Sequence, residues 1–111
     1  MTVTEKSTYT ILTDDRTDVR DFALYLENIV PDHYDQKNLV IDLLKYDELT
    51  LEDLVQFLKL SNYQRADKKS FVFVNTGINY DVIPDEMIVV PTIEEAGDVI
   101  EMEEIERDLG F

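Results

Sequence analysis

The chain has 111 residues, which suits one domain with a single hydrophobic core. Its 25 acidic residues outnumber 10 basic ones, and the net charge of −15 argues against direct binding to nucleic acid or anionic membranes, whose phosphates repel it. The absence of cysteine excludes disulfides and thiolate sites, and no apolar run reaches the length of a membrane span. We therefore expect a single cytoplasmic domain over residues 1–111.

The predicted elements alternate between strands and helices. Residues 9–13 predict a short strand, and residues 19–29 predict a helix because apolar side chains recur at helical spacing. We expect Pro31 to end this helix. The continuous apolar runs at 39–43 and 70–75 are typical of strands that are buried on both faces of a sheet.

Two later helix starts carry capping signals. Thr50 with Asp53 three residues later predicts a helix from about Leu51, and Thr92 with Glu95 predicts a full capping box for the last helix. The residues expected on the apolar side of the last helix are Ile93, Ala96, Val99, Ile100, Met102, Ile105 and Leu109.

A short apolar run at 88–90 predicts one more strand, which gives the order β-α-β-α-β-β-α. Alternating strands and helices are typical of an α/β fold. The sequence therefore predicts a mixed or mainly parallel sheet of about four strands covered by about three helices, with the strands at 39–43 and 70–75 in central positions.

The chain offers little catalytic chemistry. A single histidine, His33, and no cysteine predict no zinc site. The carboxylates clustered at 14–21 and at 47–53 could attract a hard cation, but neither cluster has the spacing of an EF-hand loop, and helix starts account for both. We expect no metal, no cofactor and no catalysis, with a carboxylate-based metal enzyme as the least favoured alternative.

About two thirds of the chain resembles the STAS domain, the fold of bacterial anti-sigma-factor antagonists. Residues 39–43 match a buried family strand that ends in an aspartate, and residues 50–53 fall on the D-S-S-G motif of the loop that opens the next family helix. Residues 66–74 are similar to the following turn and strand. Residues 91–96 are similar to the start of the final helix, which in the family often reads P-T-x-E-E-A.

The resemblance implies a regulatory protein-binding module. In STAS antagonists a partner kinase phosphorylates the second serine of the motif and so controls binding, whereas this chain has Glu52 at that position. Thr50 and Asp53 replace the aspartate and the glycine of the motif. Glu52 could resemble a permanently phosphorylated residue, but we favour loss of the switch. The hairpin that begins the family fold is barely visible here, and the helix before the last strand looks reduced or missing.

The C-terminal residues 101–111 are also similar to the tail of short uncharacterised Bacteroidetes proteins that often carry the label ribonuclease Z. A ribonuclease Z builds a two-zinc site from several histidines and aspartates in an H-x-H-x-D-H pattern. Because this chain has only His33, we expect no ribonuclease Z activity.

Two segments are candidates for contact with a partner: the loop and helix start at 46–54, and the acidic last helix. The leading hypothesis is a non-catalytic STAS-like interaction module that binds another protein, with a basic surface among the options. The alternative is an acidic nucleic-acid mimic that occupies the basic groove of a nucleic-acid-processing protein. The sequence leaves the oligomeric state open. The residues predicted to contact the partner are Tyr46, Thr50, Glu52, Asp53, Glu101 and Glu104.

Overall fold

A computed structural model of the protein describes residues 1–110. The strands are β1 (Thr2–Glu5), β2 (Thr10–Thr13), β3 (Leu39–Asp42), β4 (Phe71–Val74) and β5 (Ile88–Val90). The helices are α1 (Val19–His33), α2 (Leu51–Val55), α3 (Leu58–Ala66) and α4 (Ile93–Asp108), with a 3₁₀ turn at Tyr80–Val82. The predicted α/β class is confirmed, with five strands and four helices in place of about four and about three.

The five strands form one mixed sheet in the order β1-β2-β3-β4-β5. β1 is antiparallel to β2, and the other neighbours are parallel, with Leu39 opposite Phe71 and Ile41 opposite Phe73. β3 and β4 each have a strand on both sides, so their predicted central position is confirmed. The four parallel strands end at the same edge of the sheet, called here the carboxyl edge, and begin at the opposite amino edge.

Helices cover both faces of the sheet. On one face α1, α2 and α3 pack over Ile41 and Phe73, and on the other α4 packs over Val40 and Val72. The side chains of each central strand alternate between the two faces, which explains why β4 is apolar at every position and β3 at every position except Asp42. Phe57 from the helical side meets the ring of Phe73 edge-on with centroids 5.4 Å apart.

The N-terminal hairpin is the main element that the sequence pattern did not reveal. All four residues of β1 are exposed, so the strand has no buried face and no alternation of apolar residues from which it could be predicted. It is held by pairing with β2 along the register Thr2–Thr13 to Glu5–Thr10. The segment before the last strand contains only a single helical turn, at 80–82, which agrees with the prediction of a reduced or missing helix there.

The predicted end of one helix and the predicted continuity of another are wrong. Helix α1 continues through Pro31 to His33. Pro31 lies near the end of the helix, and just beyond the helix the Tyr34 N–H still bonds the Val30 carbonyl, so the proline does not end the helix. The helix predicted from Leu51 is broken into α2 and α3. At the break the N–H of Phe57 bonds the carbonyl three residues back, at 3.0 Å, and so tightens the chain into a 3₁₀-like turn.

The apolar side predicted for α4 is half wrong. Ala96 and Ile100 are buried against the sheet, but Met102, Ile105 and Leu109 are exposed. The inward positions of the second half of the helix carry Glu103, Glu104 and Arg107, which are partly buried. Asn38 and Ser70 at the amino edge form hydrogen bonds with these side chains, so the apolar residues of the last turns point away from the sheet.

Candidate interaction surface at the carboxyl edge

Three loops meet at the carboxyl edge, and residues 43–50 form the middle one. They follow β3 and lead into α2, between the loop at 14–18 and the connection at 75–87. In sheets of parallel strands the loops beyond the carboxyl ends are the usual place for binding residues. Four of the six predicted contact residues lie here: Tyr46, Thr50, Glu52 and Asp53.

Asp14 and Tyr46 tie the first loop to the middle one. The Tyr46 hydroxyl donates a hydrogen bond to Asp14 Oδ2 at 2.5 Å, and Asp14 Oδ1 accepts one from the Arg16 N–H at 2.7 Å. Burial of the phenol and its bond to Asp14 raise the pKa of Tyr46 above its ordinary value. The Lys45 ammonium also bonds the carbonyl of Arg16. Tyr46 is thus a brace between the loops.

Asp14 differs from the helix-start carboxylate that the sequence suggested. It is only 4% exposed and lies in the loop before α1, whereas Asp18 is the residue that caps this helix. Sequence reasoning gave no sign of the burial, because Asp14 stands in a run of polar residues. Its hydrogen bonds to Tyr46 and Arg16 satisfy the buried carboxylate.

Asn75, directly after β4, is the organising residue that sequence reasoning missed. Its side-chain amide is fully buried and donates to the carbonyls of Leu43 and Tyr46, at 2.8 and 2.9 Å. Its Oδ1 accepts from the N–H groups of Gly77 and Ile78, also at 2.8 and 2.9 Å. One side chain therefore fixes both the middle loop and the start of the connection to β5. The Asn-Thr-Gly sequence was a turn signal that could have pointed to it.

Gly77 allows these two loops to touch. A Cβ atom at this position would lie 2.0 Å from the backbone carbonyl oxygen of Asp47. No side chain fits there, so the glycine is required by close backbone approach. Together with the bonds of Asn75, this contact makes the loop before α2 a rigid support.

The start of α2 carries the cap that the sequence indicated, in a more complete form. Thr50 Oγ1 accepts from the Asp53 N–H at 3.1 Å, and the Asp53 carboxylate accepts from the Thr50 N–H at 3.2 Å. This is a full capping box. At α4 the prediction of a full capping box is wrong: the Glu95 N–H bonds Thr92 Oγ1 at 3.0 Å, but the reciprocal bond is lacking.

Helix α2 also carries side chains that take no part in the hydrogen bonds described above and that project from its surface. Glu52 is exposed, and so are its neighbours Leu51 and Val55, while Leu54 alone is buried in the core. Leu44, at the start of the middle loop, is exposed as well. The carboxyl edge therefore presents an acidic group among aliphatic side chains on a rigid support.

The two remaining predicted residues, Glu101 and Glu104, lie in the second half of α4, which begins after β5 at the carboxyl edge and runs back toward the amino edge. Glu101 is exposed. Glu104 Oε1 accepts hydrogen bonds from Asn38 Nδ2 at 2.7 Å and from Arg107 at 2.8 Å, and these bonds hold the pKa of Glu104 below its ordinary value. Asn38 directly precedes β3, so Glu104 is engaged at the amino edge.

Within residues 1–110, no group of three or more histidine or acidic side chains is arranged to hold a metal ion. His33 is the exposed last residue of α1. No helix in this part of the chain is both long and apolar enough to cross a membrane. No family model and no curated protein matches the chain.

Proposed function

We propose that the protein is a non-catalytic, STAS-like regulatory module that works in the cytoplasm and binds another protein through α2 and the loop before it. The observation that carries the proposal is the contrast at the carboxyl edge. Tyr46, Asn75 and Gly77 hold the loop in place, while Glu52 is exposed and Leu51 and Val55 are 36% and 37% exposed. Rigid loops that present aliphatic and charged side chains lose little entropy on binding.

Two features of the fold support the STAS-like part of the proposal. The hairpin of β1 and β2, which was barely visible in the sequence, is present, whereas the single helical turn at 80–82 in place of the family helix before β5 is a departure from the family. The helix start that resembles the family motif lies at the carboxyl edge and is exposed at Glu52. Because a carboxylate stands where the family has a phosphorylatable serine, binding in this protein is proposed to be constitutive.

The test is an affinity capture from host lysate with a matched pair of variants. Leu51→Ser/Glu52→Lys removes one exposed aliphatic group and reverses one charge at the proposed surface. Leu24→Ser/Asp32→Lys makes the same two changes on the exposed side of α1. Tyr46→Ala is unsuitable because Tyr46 braces the loops.

Mass spectrometry of material retained after a high-salt wash should identify a protein bound by the wild type and by the α1 variant, and lost with the α2 variant. Equal retention by both variants would reject the α2 surface. A basic nucleic-acid-processing protein that elutes as salt rises would instead support the nucleic-acid mimic, because such binding depends on screened charge.

A further inference from the structure

The outer side of α4 carries an apolar stripe that no other part of residues 1–110 covers. Met102, Ile105 and Leu109 are 58%, 55% and 66% exposed. They are three and four residues apart, so they lie along one side of the helix. Seven residues of helix span about 10 Å, which is two turns.

The stripe faces away from the sheet for a structural reason. Arg107 donates to Ser70 Oγ at 3.1 Å and to Glu104 at 2.8 Å, and Glu103 accepts from Arg65 at 3.1 Å and from Ser70 at 2.6 Å. This network binds the inner side of the last turns to the amino edge. The opposite side of the helix is consequently free for an outside contact.

Acidic groups surround the stripe. The carboxylates of Glu95, Asp98, Glu101 and Glu106 are exposed on the same outer half of the helix, by helical spacing. Arg107 is the only basic residue of α4, and its side chain is turned inward. A shallow depression lined by Asp98, Val99, Met102, Glu103 and Glu106 runs beside the stripe.

We infer that the outer side of α4 docks a basic amphipathic helix of another protein. Apolar residues of that helix cover Met102, Ile105 and Leu109, and its flanking lysines or arginines face the surrounding carboxylates. A helix fits because it repeats its apolar side chains at the spacing of the stripe. A second copy of this chain does not fit, since each copy carries a charge of −15 and two α4 helices would bring like charges together.

This inference is independent of the proposed function, because α2 and the outer side of α4 are separate surfaces. The probe is a fluorescent synthetic helix of leucine and lysine, about 18 residues or five turns long, with leucines three and four residues apart. A peptide of the same composition in scrambled order keeps the charge but has no apolar face. Fluorescence anisotropy at physiological salt measures the affinity of both peptides.

The affinity for the ordered peptide should exceed that for the scrambled peptide about tenfold or more, and Met102→Ser/Ile105→Ser should weaken binding of the ordered peptide by about the same factor. The control Val3→Ser/Leu24→Ser also replaces two exposed aliphatic side chains and should bind as the wild type does. All of these variants keep the net charge. Circular dichroism should show that each variant remains folded.

Equal affinity for the two peptides, or unchanged binding by Met102→Ser/Ile105→Ser, would overturn the inference, since charge alone would then explain the binding. A concentration-dependent dimer that the same variant abolishes would also overturn it by making the stripe a self-interface. Leu51→Ser/Glu52→Lys should bind the peptide normally, so failure of the α2 proposal and failure of this one are distinguishable.

Discussion

Replacing Asn75 by alanine should destabilise the protein markedly. The change removes four hydrogen bonds of a fully buried amide. The Leu43 carbonyl still accepts from the Tyr46 N–H at 3.1 Å, so it keeps a partner. The N–H of Ile78 is left buried without one, which costs about 1–3 kcal/mol.

The other two groups, the Tyr46 carbonyl and the Gly77 N–H, are partly buried and can reach water, at about 0.5–1 kcal/mol each. The expected loss is therefore about 3 kcal/mol, out of the roughly 5–15 kcal/mol that stabilises a domain of this kind. The melting temperature should fall by roughly 10–20 °C. Urea unfolding followed by circular dichroism measures the free energy of unfolding directly.

Asn79→Ala is the matched control, because it truncates the same residue type in the same connection. Its side chain makes one exposed bond, to the Asp81 N–H at 3.0 Å, and its loss should cost about 0.5 kcal/mol. Hydrogen exchange should show faster exchange of the Gly77 and Ile78 amides in Asn75→Ala. A loss under about 1 kcal/mol, or one equal to that of the control, would refute the central role of Asn75.

Three further predictions follow from the same geometry. Gly77→Ala should cost about 1–3 kcal/mol in urea unfolding, because its methyl group meets the Asp47 carbonyl; a neutral effect would contradict this contact. Tyr46→Phe should cost about 1.5–3 kcal/mol at neutral pH by removing the bond to Asp14. Because the pKa of Tyr46 is raised, this difference from the wild type should shrink as the pH rises above the ordinary tyrosine pKa; a constant difference would count against it. Because the pKa of Glu104 is lowered in the folded protein, the ionised carboxylate contributes its full stabilisation above the ordinary glutamate pKa, and this stabilisation is lost as the pH falls through the lowered pKa. The difference in unfolding free energy between the wild type and Glu104→Gln should therefore narrow below about pH 4.5. A difference that does not change with pH would argue against the lowered pKa.

Features with a local signature could be predicted from the sequence. The continuous apolar runs of β3 and β4 identified the central strands because both faces of the sheet are covered. The threonine caps located the starts of α2 and α4 because the cap and its partner are three residues apart. The hairpin strand β1 escaped because it buries nothing.

The candidate site was less predictable because its order comes from contacts between distant segments. Tyr46 was expected to meet a partner, but its hydroxyl bonds Asp14, which lies 32 residues earlier. The sequence predicted Asn75 only as the last residue of a strand. Its role could not be predicted, since the carbonyls that accept its hydrogen bonds belong to a loop about 30 residues away. A sequence shows which side chains are polar, whereas it does not show which of them find a partner within the fold.

Helix α4 shows how a polar network can release apolar residues for another use. In its first half, Ala96 and Ile100 attach the helix to the sheet by apolar burial. In its second half, the inward positions belong to Glu104 and Arg107, whose bonds reach residues at the amino edge. The last turns are thus held without their aliphatic side chains. Exposed aliphatic residues normally favour association, and a surrounding rim of carboxylates restricts association to basic partners. In the proposed docking, the same carboxylates would oppose self-association of α4 and select a basic helix to cover the stripe.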